Sequence, residues 1–101
     1  MVATGGTTLL GANANAFGIA LVGTGPRVLN NDVSTTVKQG TATAWGILLN
    51  GVTGGLAVNN RITEADKGIE YFGPSTGKYR DNLTFDVTTP FTGGTDAGNN
   101  N

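Results

Sequence analysis

The sequence predicts an all-β chain made of one unit, repeated and stacked in parallel. Three observations predict it. Nearly the same phrase stands at Phe17 to Val33 ("FGIALVGTGPRVLNNDV"), Trp45 to Ile62 ("WGILLNGVTGGLAVNNRI") and Lys67 to Leu83 ("KGIEYFGPSTGKYRDNL"). The 101 residues include 17 glycines with abundant Thr and Asn, all poor helix formers. Within each phrase the apolar residues recur at a period of two, as on a strand.

The Gly-Ile pairs set the register: Gly18-Ile19, Gly46-Ile47 and Gly68-Ile69, at intervals of 28 (46 − 18) and 22 (68 − 46). A second landmark is an asparagine, or an aspartate, two residues before an aliphatic. It gives Asn31 with Val33, Asn60 with Ile62 and Asp81 with Leu83, at intervals of 29 (60 − 31) and 21 (81 − 60). The surplus of the first interval falls in "STTVKQGTATA", residues 34–44, which reads as a loop.

Each element follows from these landmarks. The first strand of each unit turns Ile19 and Leu21, Ile47 and Leu49, or Ile69 and Tyr71 to one side, leaving Leu48 outward. The second strand begins at Leu29, Val58 and Tyr79. The third follows the asparagine position with Val33, Ile62 and Leu83. Gly, Pro and Asn mark the corners. No segment reads as a crossover helix, and paired hairpin turns are missing. One unit cannot bury its apolar face alone, so copies stack about 4.8 Å apart as a solenoid. Residues 2–15 read as the tail of a preceding coil.

The "GI" strand, the glycine corner, the "NN" or "RDN" turn and the aliphatic after it resemble the right-handed parallel β-helix family, the pectate-lyase-like fold. The resemblance spans residues 16–83. A fourth partial copy follows at "PFTGGTDAGNN", where Phe91 takes the place of Ile69. It implies a short right-handed parallel β-helix of three to four coils in a single domain: a partial coil at 1–15, coils at 16–44, 45–66 and 67–89, and a partial last coil with a polar tail at 90–101. That tail, "GGTDAGNNN", reads as frayed. It holds one Gly-Asp-like cluster without the nine-residue calcium-repeat period.

The expected core stack is Ile19, Ile47, Ile69 and Phe91 in one file and Val33, Ile62 and Leu83 in another. The expected ladder is Asn31, Asn60 and Asp81, each satisfying turn backbone of the next coil. In the same register Asp32 stacks on Arg61, and Arg61 on Asn82, while Ser34, Thr63 and Thr84 form an outward hydroxyl file. Trp45 stands between Phe17 and Lys67, either to stack on a sugar ring or to cover the corner.

Several function classes are excluded or unsupported. There is no cysteine and no histidine, which removes disulfides, thiolate sites and His-based catalysis. Charged residues are 13% and the net charge is −1. Six scattered Lys and Arg make no nucleic-acid stripe. No apolar run is long enough to span a bilayer, and residues 1–18 carry no basic leader region. No cofactor and no metal site is expected. Glu64, Asp66 and Glu70 cluster around Lys67 without a recognised metal spacing, and no carboxylate pair stands out for glycoside hydrolysis.

The resulting expectation is a non-catalytic structural, self-assembling β-helix module, part of or derived from a larger protein. The resemblance implies an extracellular or cell-surface setting. The alternatives are a polysaccharide-binding or polysaccharide-degrading protein, a lyase or glycoside hydrolase if an enzyme, and an ice-binding solenoid. A homo-oligomer is expected through the N-terminal coil, where Val2, Leu9 and Leu10 lie near open strand edges.

Overall fold

The computed structural model describes residues 2–4, 15–34 and 41–101. The chain is all-β, with no helix among the described residues. Its strands are β1 (Val2–Thr4), β2 (Ala16–Thr24), β3 (Arg27–Leu29), β4 (Asp32–Ser34), β5 (Ala44–Thr53), β6 (Gly55–Val58), β7 (Arg61–Phe72), β8 (Gly77–Arg80), β9 (Leu83–Thr92) and β10 (Thr95–Asp96). Every pairing is parallel. One sheet has the order β1-β4-β7-β5-β2, with β9 also on β7; the other runs β10-β8-β6-β3.

Pairing follows the repeat. Ile19 stands opposite Ile47, Ile47 opposite Ile69, and Ile69 opposite Phe91. Val33 stands opposite Ile62. β1 lies on β4, with Val2 opposite Asp32. Ile47, Leu49, Ile62 and Ile69 are at most 1% exposed, and Val28, Val33, Val52, Ala57, Tyr71 and Tyr79 complete the core.

The third repeat is displaced by one residue from the register read in sequence. Leu83 stands opposite Arg61 and is 52% exposed, so it is not a core residue; Thr84 stands opposite Ile62. Arg61 therefore faces Leu83, not Asn82, and Thr63 faces Phe85, not Thr84. In the second sheet the buried file is Val28, Ala57 and Tyr79, while Leu29 pairs with Val58 and Val58 with Arg80. The true step from the second to the third repeat is 22 throughout (83 − 61; 69 − 47). Asn82, not Asp81, holds the ladder position, and it too lies 22 residues from Asn60 (82 − 60).

The strands are also longer than the sequence suggests. β7 runs unbroken through two predicted strands, and Glu64 turns it with φ 58. Asp86 does the same in β9, with φ 57. In β5 the phase changes at Gly46: a Cβ there would collide with the Ile62 side chain, so Gly46 and Ile47 both face inward. Trp45 and Leu48 then share the outer face. Leu48 is nevertheless 8% exposed, set between Ala20 and Glu70. Its expected solvent exposure is thus corrected: the outer face is covered at this point.

The tail is bonded, not frayed. β10 pairs with β8, the Asn101 N–H donates to Asn82 O, and the Thr84 N–H donates to Asn101 O. Leu9, Leu10 and part of the predicted 34–44 loop lie outside the described residues.

Candidate functional site

Two polar files and one aromatic cluster are the candidates. The inner file is Asn31, Asn60, Asn82 and Asn100. Asn82 replaces the expected Asp81. The Asn31 N–H and Nδ2 donate to Asn60 Oδ1 at 3.1 and 3.0 Å. The Asn60 N–H and Nδ2 donate to Asn82 Oδ1 at 2.9 and 3.0 Å. The same two groups of Asn82 donate to Asn100 Oδ1 at 3.0 Å each. Two of the Nδ2 groups also reach back to a strand carbonyl of the previous repeat, Asn60 to Val28 O and Asn82 to Ala57 O, while Asn31 Nδ2 donates to Leu29 O of its own repeat. Asn60 and Asn82 are at most 1% exposed. A carboxylate at this position could not donate, so an ionised Asp81 would break the chain of bonds.

Asp81 belongs instead to an outer file with Asn30, Asn59 and Asn99. All four sit in the left-handed region, with φ between 55 and 58. Asn and Asp tolerate that conformation better than most residues. Asn59 Nδ2 donates to Asn30 Oδ1 and Asn99 Nδ2 to Asp81 Oδ1. The Asn99 amide, followed by the Arg80 guanidinium, holds the Asp81 carboxyl below the usual carboxylate range.

The aromatic cluster lies on the outer face of β2, β5 and β7. Phe17 stacks on Trp45 with centroids 5.0 Å apart and planes 10° apart. Lys67 Nζ covers the ring from the other side, 5.8 Å from its centroid, as a cation–π contact. Lys67 also pairs with Glu70 at 2.7 Å, and Trp45 Nε1 donates to the other oxygen of Glu70. Both faces of Trp45 are therefore taken. A sugar ring needs an open aromatic face, so Trp45 acts as a packing residue at this corner.

The acids are mostly engaged. Asp32 pairs with Arg61, whose hydrogen bond lowers the Asp32 pKa. Asp66 accepts from the Ala44 N–H at 2.8 Å, and Asp96 from the Gly98 N–H and Asn100 Nδ2. Glu64 lies on β7 and Asp86 on β9 between the pairs Thr63–Phe85 and Ala65–Val87, and both are exposed. Among the described residues no three His, Cys, Asp or Glu side chains gather to hold a metal ion. No helix there is long and apolar enough to cross a membrane.

Sequence reasoning missed Asn82 and Asn100. The signal was present: a step of 22 from Asn60 lands on Asn82, as it does from Ile47 to Ile69. Comparisons with protein-family models, with curated proteins and with solved structures found no match.

Proposed function

We propose that the chain is a non-catalytic scaffold: a right-handed parallel β-helix of three to four coils that associates with a second copy of itself. The observation that carries the reading is the continuous Asn31–Asn60–Asn82–Asn100 ladder, whose polar groups are consumed in joining one repeat to the next. The right-handed sense follows from the chirality of parallel connections. The other polar clusters also tie repeats together: Trp45, Lys67 and Glu70 bond one another across β5 and β7, and Asp32 bonds Arg61 across β4 and β7.

Assembly is supported by β9. It is an edge strand, and it carries Leu83 at 52% and Phe85 at 75% exposure. Asn101 bonds the edge at Asn82 and Thr84, and beyond Thr84 no described strand pairs with β9 on that side; an open edge with an exposed apolar side chain such as Phe85 is a template for pairing with another chain. The proposed contact is therefore the β9 edge; of the N-terminal coil expected from sequence, Leu9 and Leu10 lie outside the described residues. A closed two-fold contact there covers both edges, whereas a head-to-tail contact grows a fibre. A second copy fits because the two chains then bring identical edges together.

Sedimentation over a range of concentrations tests the reading. The chain is expected to dimerise, and Phe85→Asp to shift it to monomer without changing its circular dichroism. A wild-type chain that stays monomeric at every concentration sinks the assembly. A panel of acidic polysaccharides is expected to yield no new reducing or unsaturated ends. Cleavage abolished by single changes at Glu64, Asp66 or Glu70 would overturn the scaffold reading.

A further inference from the structure

We propose that Asn50 is a site of spontaneous covalent modification, converting to aspartate and isoaspartate with Gly51 supplying the nucleophile. Asn50-Gly51 is the sole Asn-Gly pair in the chain. It also occupies an irregular place in the sheet. Leu21 stands opposite Leu49 and Gly23 opposite Val52, so β5 has two residues, Asn50 and Gly51, where β2 has Val22 alone. Such a bulge leaves one residue out of the ladder. Gly51 is at φ 69, exposed, with open space on its side-chain side. Asn50 is exposed too, and its side chain makes no hydrogen bond among the described residues.

Six asparagines of the inner and outer files are protected in two ways. Asn31, Asn60 and Asn82 have their amides locked in the ladder. Asn30, Asn59 and Asn99 are hydrogen-bonded, and each is followed by a residue with a side chain that crowds attack at its amide. Only a glycine leaves the following nitrogen unhindered and its backbone free to swing.

The chemistry balances with water as co-reactant. The Gly51 backbone nitrogen gives its proton to solvent base and attacks Asn50 Cγ. The new N–Cγ bond closes a five-membered imide. The Cγ–Nδ2 bond breaks, and Nδ2 takes up a proton and leaves as ammonia. Water then opens the ring at either carbonyl. One opening gives aspartate; the other gives isoaspartate, with the main chain rerouted through the side chain. No atom changes oxidation state. The net charge moves from −1 to −2, and the new carboxylate lies beside Phe72, which pairs with Asn50 and is 49% exposed.

The test is ageing of the purified folded chain in mildly alkaline buffer, followed by ion exchange and peptide mapping. A more acidic species, heavier by one mass unit, is expected to accumulate, with the change mapped to Asn50 and part of it labelled by an isoaspartyl methyltransferase. Conversion at Asn50 should outrun that at Asn30 and Asn59 several-fold, and Asn50→Gln should stay a single species. Conversion at Asn50 no faster than at Asn59, or an Asn50→Gln chain that acidifies at the wild-type rate, would overturn the proposal.

Discussion

Asn60 joins three repeats through one amide. It accepts from Asn31, donates to Asn82 and donates back to Val28 O. Asn60→Ala strands the Asn31 donors and the Val28 carbonyl, and is expected to cost about 1–3 kcal/mol in urea unfolding. Asn59 is its neighbour in the outer file. Because it sits at φ 55, alanine there would add strain, so Asn59→Gly is the fair control. That change loses one exposed bond to Asn30 and should stay within about 0.5 kcal/mol. Equal losses for the two variants would contradict the ladder. Tyr71 makes a second prediction. Its hydroxyl donates to Lys78 O at 2.8 Å and lies 3.2 Å from Gly55 O. Burial, followed by the nearby Tyr79, pushes its pKa from 10.0 up to about 12. The folded chain then holds a proton that the unfolded chain releases, so stability is full below pH 10 and falls as pH rises toward 12. Alkaline unfolding titrations should show that slope, and Tyr71→Phe should flatten it.

At the scale of elements, β5 is the most informative strand. Ile47 lies between Ile19 and Ile69 and is fully buried. Ile47→Ala should cost about 2–5 kcal/mol. Leu48 faces the other side but is covered, so Leu48→Ser should cost about 1–3 kcal/mol, less than Ile47→Ala. A neutral Leu48→Ser, read from thermal melts, would show the outer face to be open. The period-two pattern placed Leu48 correctly on the face away from Ile47. It could not reveal that Trp45, Lys67 and Glu70 gather on that face. The glycine of the Gly-Ile pair is legible in the same limited way. The repeat marks Gly68 as a landmark, but only the fold puts the Pro90 carbonyl where its Cβ would be. Gly68→Ala is accordingly expected to abolish the native melt.

For the whole molecule, the pairings join strands from successive repeats, and no hairpin exists among the described strands. Each repeat touches its neighbours, so stability is expected to vary along the stack and be greatest in the middle. Hydrogen exchange should be slowest in β5, β6 and the Ile69 end of β7, and faster in β9 and β10. Uniform protection from β5 to β10 would mean that the chain opens only as a unit. Folding should be slow for its size, since only parallel pairings at long separation reward loop closure.

The sequence by itself determined the strand content, the repeat and most of the register. These follow from period-two alternation and from glycine and asparagine corners, which are local properties of the chain. Ile19, Ile47, Ile69 and Phe91 were aligned from spacing alone. The tertiary structure decided the rest. Asp81 and Asn82 are neighbours of similar shape, and turn preference cannot choose between them. The fold chooses because the inner position is buried and must both accept and donate. An asparagine amide does both, and a carboxylate does not. That one choice moved Leu83 to the surface and made Thr84 the partner of Ile62. It also placed Asn100, in a tail that looked frayed, at the end of the ladder.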